Sequence, residues 1–239
     1  MAVVLILGSG PNVVAARNWP KTSFDRIVAI NNAWQVRPDW DDLIHPEDFP
    51  EDRHPTSFGP DQRRVTYRDY VPAQNALGGF VYAGGTMAFT AAYWALQTLR
   101  PDVIAMMGCD MVYPTTGATH FYGTGAADPL RPDPTLRNLE AKSARLLALG
   151  AAQGCALVNL STDQSRLVFP RATVAELHRL PVVEINGAAM DAALRAEERL
   201  GYFVASGRYW EEQDRFDTAH IDHIDSLWLK AVPVPQTSP

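Results

Sequence analysis

The sequence predicts an α/β protein: a mostly parallel, doubly wound sheet with a small helical appendage at its C-terminal end. Three observations carry this reading. Val- and Ile-rich runs recur at Val3–Leu7, Arg26–Ile30, Val103–Met107 and residues 156–160. Each is apolar throughout rather than alternating, as strands covered on both faces are. Helical patterns separate them, the alternation expected of a parallel sheet.

The elements follow in order. The first strand ends at Gly8-Ser9-Gly10-Pro11, where a helix is expected at once, Pro being well suited to a first helical turn. The second strand ends at Asn31-Asn32, and weaker strand candidates are 42–44 and 80–82. Residues 86–99, TMAFTAAYWALQTL, are apolar nearly all round, so this helix should lie directly against the sheet. Residues 136–150 are more amphipathic: Leu139, Leu146 and Leu147 share one face, while Glu140 and Lys142 should point outward. Residues 1–162 are read as a nucleotide-binding core domain. Residues 163–239 read as an appendage of short helices and one brief strand, ending in a Pro-rich tail.

Composition narrows the function classes. The chain has 239 residues, enough for a core that needs no disulfide or structural metal. Lys and Arg total 21 against 27 Asp and Glu, a net charge of −6, so the basic excess of a nucleic-acid binder is missing. The two cysteines, Cys109 and Cys155, are far apart and fit reduced thiols. No basic leader precedes the short apolar run at the start, and no run approaches the length of a membrane span. A cytoplasmic protein with no transmembrane segment is expected.

Four loops carry the chemistry. Gly8 and Gly10 permit close backbone approach, and amides at a helix start favour an anion. The dinucleotide fingerprint is incomplete, since Val13 replaces its third glycine and Asn31-Asn32 stands where an acidic ribose reader belongs. A dehydrogenase is therefore disfavoured, and no P-loop motif occurs. Amide side chains at Asn31 and Asn32 suit a base or ribose without adding charge. A second Gly-rich helix start, Gly84-Gly85-Thr86, offers another phosphate-binding turn. Last, MMGCDMVYPTTGATHFYG (106–123) follows a core strand with Asp110, Tyr113, His120 and Tyr122, the composition of a lid with a general base. The structural alternatives are plain turns that allow tight packing, and a His that only orders its loop.

Taken together, GxGP after the first strand, Asn after the second, a Gly-rich turn into an Ala-rich helix and GxD…Y…H-aromatic resemble the bacterial lipooligosaccharide sialyltransferases. They are also similar to the methanogen-type pterin pyrophosphokinase proteins that share a Rossmann-like core. The resemblance covers about residues 1–162. It implies that Gly8, Ser9, Gly10 and Asn31 hold the nucleotide of a CMP-type sugar donor, with Gly85 and Thr86 beside the donor. It further implies Tyr113 and Tyr122 on the departing phosphate, His120 as base toward a small-molecule or glycan acceptor, and no metal. The sequence departs from the family at Ser9, at His45-Pro46 and in the short span between Asp110 and His120.

Two other readings stay open. A pyrophosphokinase-like enzyme would use ATP, with Asp110 and Glu47 or Asp48 holding Mg²⁺. A nucleotide-binding protein without catalysis would keep the cleft and lose the chemistry. Elsewhere, DWDD (39–42) is read as a polar loop rim. In HIDHID (220–225), Ile221, Ile224 and Trp228 form the buried stripe, which leaves His220, Asp222, His223 and Asp225 solvated.

Overall fold

The computed structural model describes residues 1–113, 116–124 and 132–233. Its centre is a six-stranded, all-parallel sheet of the Rossmann-like α/β class. The strands are β1 (Val3–Leu7), β2 (Arg26–Ile30), β3 (Asp42–Ile44), β4 (Arg63–Val65), β5 (Val103–Met107) and β6 (Ala156–Asn159). Their spatial order is β4-β3-β2-β1-β5-β6, so the chain reverses its direction of travel between β1 and β5. Leu7 of β1 is level with Met107 of β5, and both strands therefore end together at this switch point.

The two faces are covered differently. Val4, Ile6, Val28, Ile104 and Met106 face one side, against helices α1 (Tyr67–Asn75), α2 (Phe80–Ala83), α3 (Met87–Trp94) and α4 (Leu139–Ala152). Val3, Leu5, Leu7, Ile27 and Ala105 face the other, against Val13, Ala16, Ala33 and Leu177. Among the described residues that second layer consists of 3-10 segments, Pro11–Asn18, Asn31–Gln35 and Val174–Arg179, with no α-helix. Connections stepping toward β4 use the second face and those toward β6 the first, as right-handed crossovers demand. The α-helix expected after Pro11 is thus corrected to a 3-10 segment.

Other expectations change for local reasons. Residues 80–82, expected as a strand, lie in the four-residue helix α2, which is bounded by Gly79 at φ 86° and Gly84 at φ 89°. A short apolar run without periodicity fits either state. The helix α3 runs on through a π turn at Ala95–Leu99 and stops at left-handed Arg100. β4, which reads only as charged Arg63-Arg64 before Val65, was not expected. Asp42 explains it: buried in β3, it accepts from Arg26 Nε and Arg63 Nε at 2.6 Å each, clipping β2 and β4 to either side. Residues 39–41 form a polar loop as expected, with Arg37 on Asp39 and Lys21 on Asp41, while Asp42 makes the segment a structural hub as well.

The appendage is tied to α4 by buried charge. Helix α5 (Gly187–Leu200) and helix α6 (Thr218–Ala231) pack on each other, and α6 packs on α4. Arg145 of α4, 1% exposed, forks onto Glu197 of α5 at 2.8 Å through both Nε and Nη2, and reaches the Tyr93 hydroxyl. Trp228 of α6 donates Nε1–H to the same carboxylate at 2.7 Å. Ile221, Ile224 and Trp228 form the buried stripe as expected. Lys142 and Asp225, expected outside, are the exceptions: both are about 1% exposed and pair at 2.7 Å. In place of the expected brief strand after residue 163, the described residues show a single bridge between Asn159 and Arg171. The tail from residue 234 lies outside the described residues.

Candidate functional site

A cleft of about 500 Å³ opens at the carboxyl ends of β1, β2 and β5, the switch-point position where parallel sheets bind ligands. Its lining gathers Gly8, Ser9, Gly10, Asn31, Asn32, Thr86, Asp110, Tyr113, His120 and Tyr122 from four separate loops. Of the residues singled out from the sequence, Gly85, Glu47 and Asp48 lie elsewhere.

The glycines work differently from expectation. Gly8 N donates to Met107 O and Gly10 N to Gly108 O, each at 2.8 Å. A Cβ on Gly8 would lie 2.3 Å from Gly108 O, and one on Gly10 2.9 Å from it. Gly108 itself has φ 72° and lies against Val13. The close approach they permit is of the β1 turn to the β5 turn, and their amides are spent on it. The expectation of anion-binding amides at Gly8 and Gly10 is corrected accordingly. Gly85 is corrected too: its Cβ would meet the Tyr209 hydroxyl at 1.9 Å, and its amide donates to Thr135 Oγ1 at 3.0 Å. Gly85 lines a second cavity. Thr86 caps α3 by accepting from Phe89 N at 3.2 Å while keeping its place in the cleft wall.

The loop after β5 is drawn over the opening turn by Phe121 N donating to Ser9 O at 3.0 Å. His120 and Gly123 exchange backbone hydrogen bonds at 2.9 and 3.0 Å, a tight bridge that fixes the imidazole beside Tyr122. Those rings stack with centroids 4.9 Å apart. His120 Nδ1 lies 2.8 Å from Thr119 Oγ1. Burial holds the imidazole below its ordinary pKa, so it is neutral near pH 7. Residues 114 and 115 of this loop lie outside the described residues.

The remaining polar groups divide into those bonded within the protein and those left unsatisfied. Asp110 accepts from Asn12 Nδ2 at 2.7 Å and Asn159 Nδ2 at 2.9 Å, with Arg171 at 3.9 Å. Its carboxylate holds the loop in place through these bonds while Asp110 stays in the cleft lining. Glu47 and Asp48 line the second cavity and not this cleft. Among the described residues no group of three or more His, Cys, Asp or Glu side chains is placed to hold a metal ion. Asn31 adopts φ 52°, and its buried Oδ1 makes no hydrogen bond among the described residues. Asn12 Oδ1 is in the same condition, so the cleft wall holds two unsatisfied acceptors. Cys109 also lines the cleft, but burial, reinforced by Asp110, pushes its thiol up, leaving it a protonated wall group.

Sequence reasoning missed Asn12 and Arg53. Asn12 follows a proline in a turn, a place where any polar residue is ordinary. It binds Ser161 Oγ and Asp163 as well as Asp110, joining three loops. Arg53 lines the cleft, makes no ion pair among the described residues, and lies in a 3-10 turn without a motif. No described helix is long and apolar enough to cross a membrane. Comparison with protein-family models, with curated proteins and with solved structures finds no match to the chain.

Proposed function

We propose that this chain is a cytoplasmic, glycosyltransferase-like enzyme that takes a nucleotide-sugar donor of CMP type and uses His120 as general base. The reading rests on one observation above the rest: loops distant in sequence converge on a single switch-point cleft that contains the His120 imidazole. In the tautomer whose Nδ1–H donates to Thr119 Oγ1, Nε2 keeps its lone pair. It removes the proton of an acceptor hydroxyl as that oxygen bonds the anomeric carbon and the bond to the donor phosphate breaks. Tyr113 and Tyr122 donate to the departing phosphate, and Arg53 offsets its charge. Asn31 Oδ1 and Asn12 Oδ1, both lacking donors, suit an amino-bearing base.

The pyrophosphokinase reading has no such support, because Asp110 is held by Asn12 and Asn159 while Glu47 and Asp48 face another cavity. Thermal denaturation with CMP, a CMP-sugar, and ATP with or without Mg²⁺ tests the choice. CMP at 100 times its dissociation constant should stabilise by about 2.7 kcal/mol without metal. A shift from ATP only in the presence of Mg²⁺, or no shift with any nucleotide, overturns the proposal. CMP binding without consumption of any CMP-sugar makes the protein a binder and not an enzyme.

A further inference from the structure

The second cavity, about 950 Å³, lies between the HPED segment, α1, α3 and the appendage. Tyr67, Tyr70, Phe80, Tyr209 and Trp210 supply its rings. Phe80 and Tyr209 are nearly parallel, with centroids 6.3 Å apart, and Trp210 is 56% exposed at the rim. Two polar groups point to an occupant. Tyr70 is 7% exposed and Thr90 2%, both line the cavity, and neither hydroxyl makes a hydrogen bond among the described residues. A hydroxyl on a nearly buried residue that no protein group satisfies is a site for a ligand or water.

The charges favour one class of ligand. Glu47 and Asp48 line the cavity and form no ion pair among the described residues, whereas Arg208 is turned onto Glu211 at 3.4 Å. Tyr70 lies close to both acids: its hydroxyl is pushed up to about 12, first by burial and then by Glu47 and Asp48. Outside the lining, the Arg68 guanidinium lies 5.7 Å from the ring centroid of Tyr67, a wall residue. Ring faces, carboxylates and hydroxyl lone pairs all present negative potential, which attracts an ammonium group and repels an anion.

We propose that this second cavity binds a small organic cation, its ammonium group beside Glu47, Asp48 and the Tyr70 hydroxyl and its carbon chain along Phe80 and Tyr209. The site is distinct from the nucleotide cleft, although Met87 forms part of both walls, and it does not depend on the reading of that cleft. Calorimetric titration of the intact protein with 1,4-diaminobutane, using 1,4-butanediol as the uncharged counterpart, tests it. Saturable 1:1 binding of the diamine is expected, with none of the diol. The double variant Glu47→Gln/Asp48→Asn changes exposed side chains only, and should weaken the diamine about tenfold. Tyr70→Phe should weaken it by a smaller factor. The proposal falls if no saturable heat develops up to about 10 mM diamine, the weak end of measurable affinity. Equal binding of the diol, or undiminished binding by the double variant, also overturns it. A CMP titration of the same variant reads the first cleft separately.

Discussion

His120 is the residue on which the proposed chemistry turns. A general base contributes about 10²–10⁴-fold in rate, so His120→Ala should cut turnover by that order while CMP affinity is kept. Because burial depresses its pKa, the rate should fall with decreasing pH only below about 6.5, the unperturbed value. A variant that loses affinity and stability but keeps its turnover number would show that His120 merely orders the loop. Gly8 makes a second residue-level test. In Gly8→Ala the new methyl meets Gly108 O at 2.3 Å and Cys109 Sγ at 2.6 Å, forcing the β1 and β5 turns apart. Overpacking of this kind costs about 1–3 kcal/mol. Denaturant unfolding should show that loss together with weakened nucleotide binding, and unchanged stability would mean that the turns can separate freely.

At the scale of elements, the packing of α6 on α4 is set by one buried ion pair and one large ring. Trp228 is 1% exposed, and hiding a side chain of about 150–250 Å² is worth about 4–6 kcal/mol. The Lys142–Asp225 pair beside it contributes differently. Desolvation pushes the Asp225 carboxyl up, with Lys142 opposing, and Asp225 Oδ2 has no hydrogen-bond partner among the described residues. The carboxylate therefore depends on the ammonium for its compensation. Lys142→Ala strands it, and unfolding free energy should drop by about 3–5 kcal/mol. Lys142→Met/Asp225→Leu should recover most of that loss. If the single variant is as stable as the parent, the pair is not buried in solution. Helical periodicity placed Ile221, Ile224 and Trp228 inside correctly, yet it could not find Asp225, since a face average does not show which charge has a partner across the interface.

For the whole molecule, buried histidines couple stability to pH. His45 is 8% exposed, accepts no partner at Nε2 among the described residues, and has its pKa lowered, chiefly by burial. It packs in a ring cluster with Phe49 and His54, at centroid distances of 5.2 and 4.6 Å. A histidine kept neutral by the fold binds fewer protons than it does unfolded. Its contribution is thus fully present above the unfolded pKa of about 6.5 and shrinks as pH falls through the folded value. The melting temperature should decline between pH 7 and pH 5, and His45→Phe should flatten that decline. A slope identical in the variant would assign the dependence to other groups, His120 among them. The same segment separates the two cavities: Glu47 and Asp48 face one, Phe49 and Arg53 the other.

What the sequence determined by itself was the α/β class, five of the strands in nearly their final bounds, and most of the loops that meet at the cleft. These are local properties. Continuous apolar runs can be hidden only in a sheet covered on both faces, and loops following such strands end on its carboxyl edge. Tertiary structure alone decided what each loop residue does there. Gly8, Gly10 and Gly108 serve the approach of two turns, Asp110 anchors, Gly85 belongs to another cavity, and Arg53 and Asn12 join the cleft from positions with no motif. It also decided that Asp42, Lys142 and Asp225 are buried. The physical reason is that hydrogen bonds and ion pairs are satisfied by whichever group lies nearby, and Lys142 and Asp225 become neighbours across 83 residues of chain only after folding.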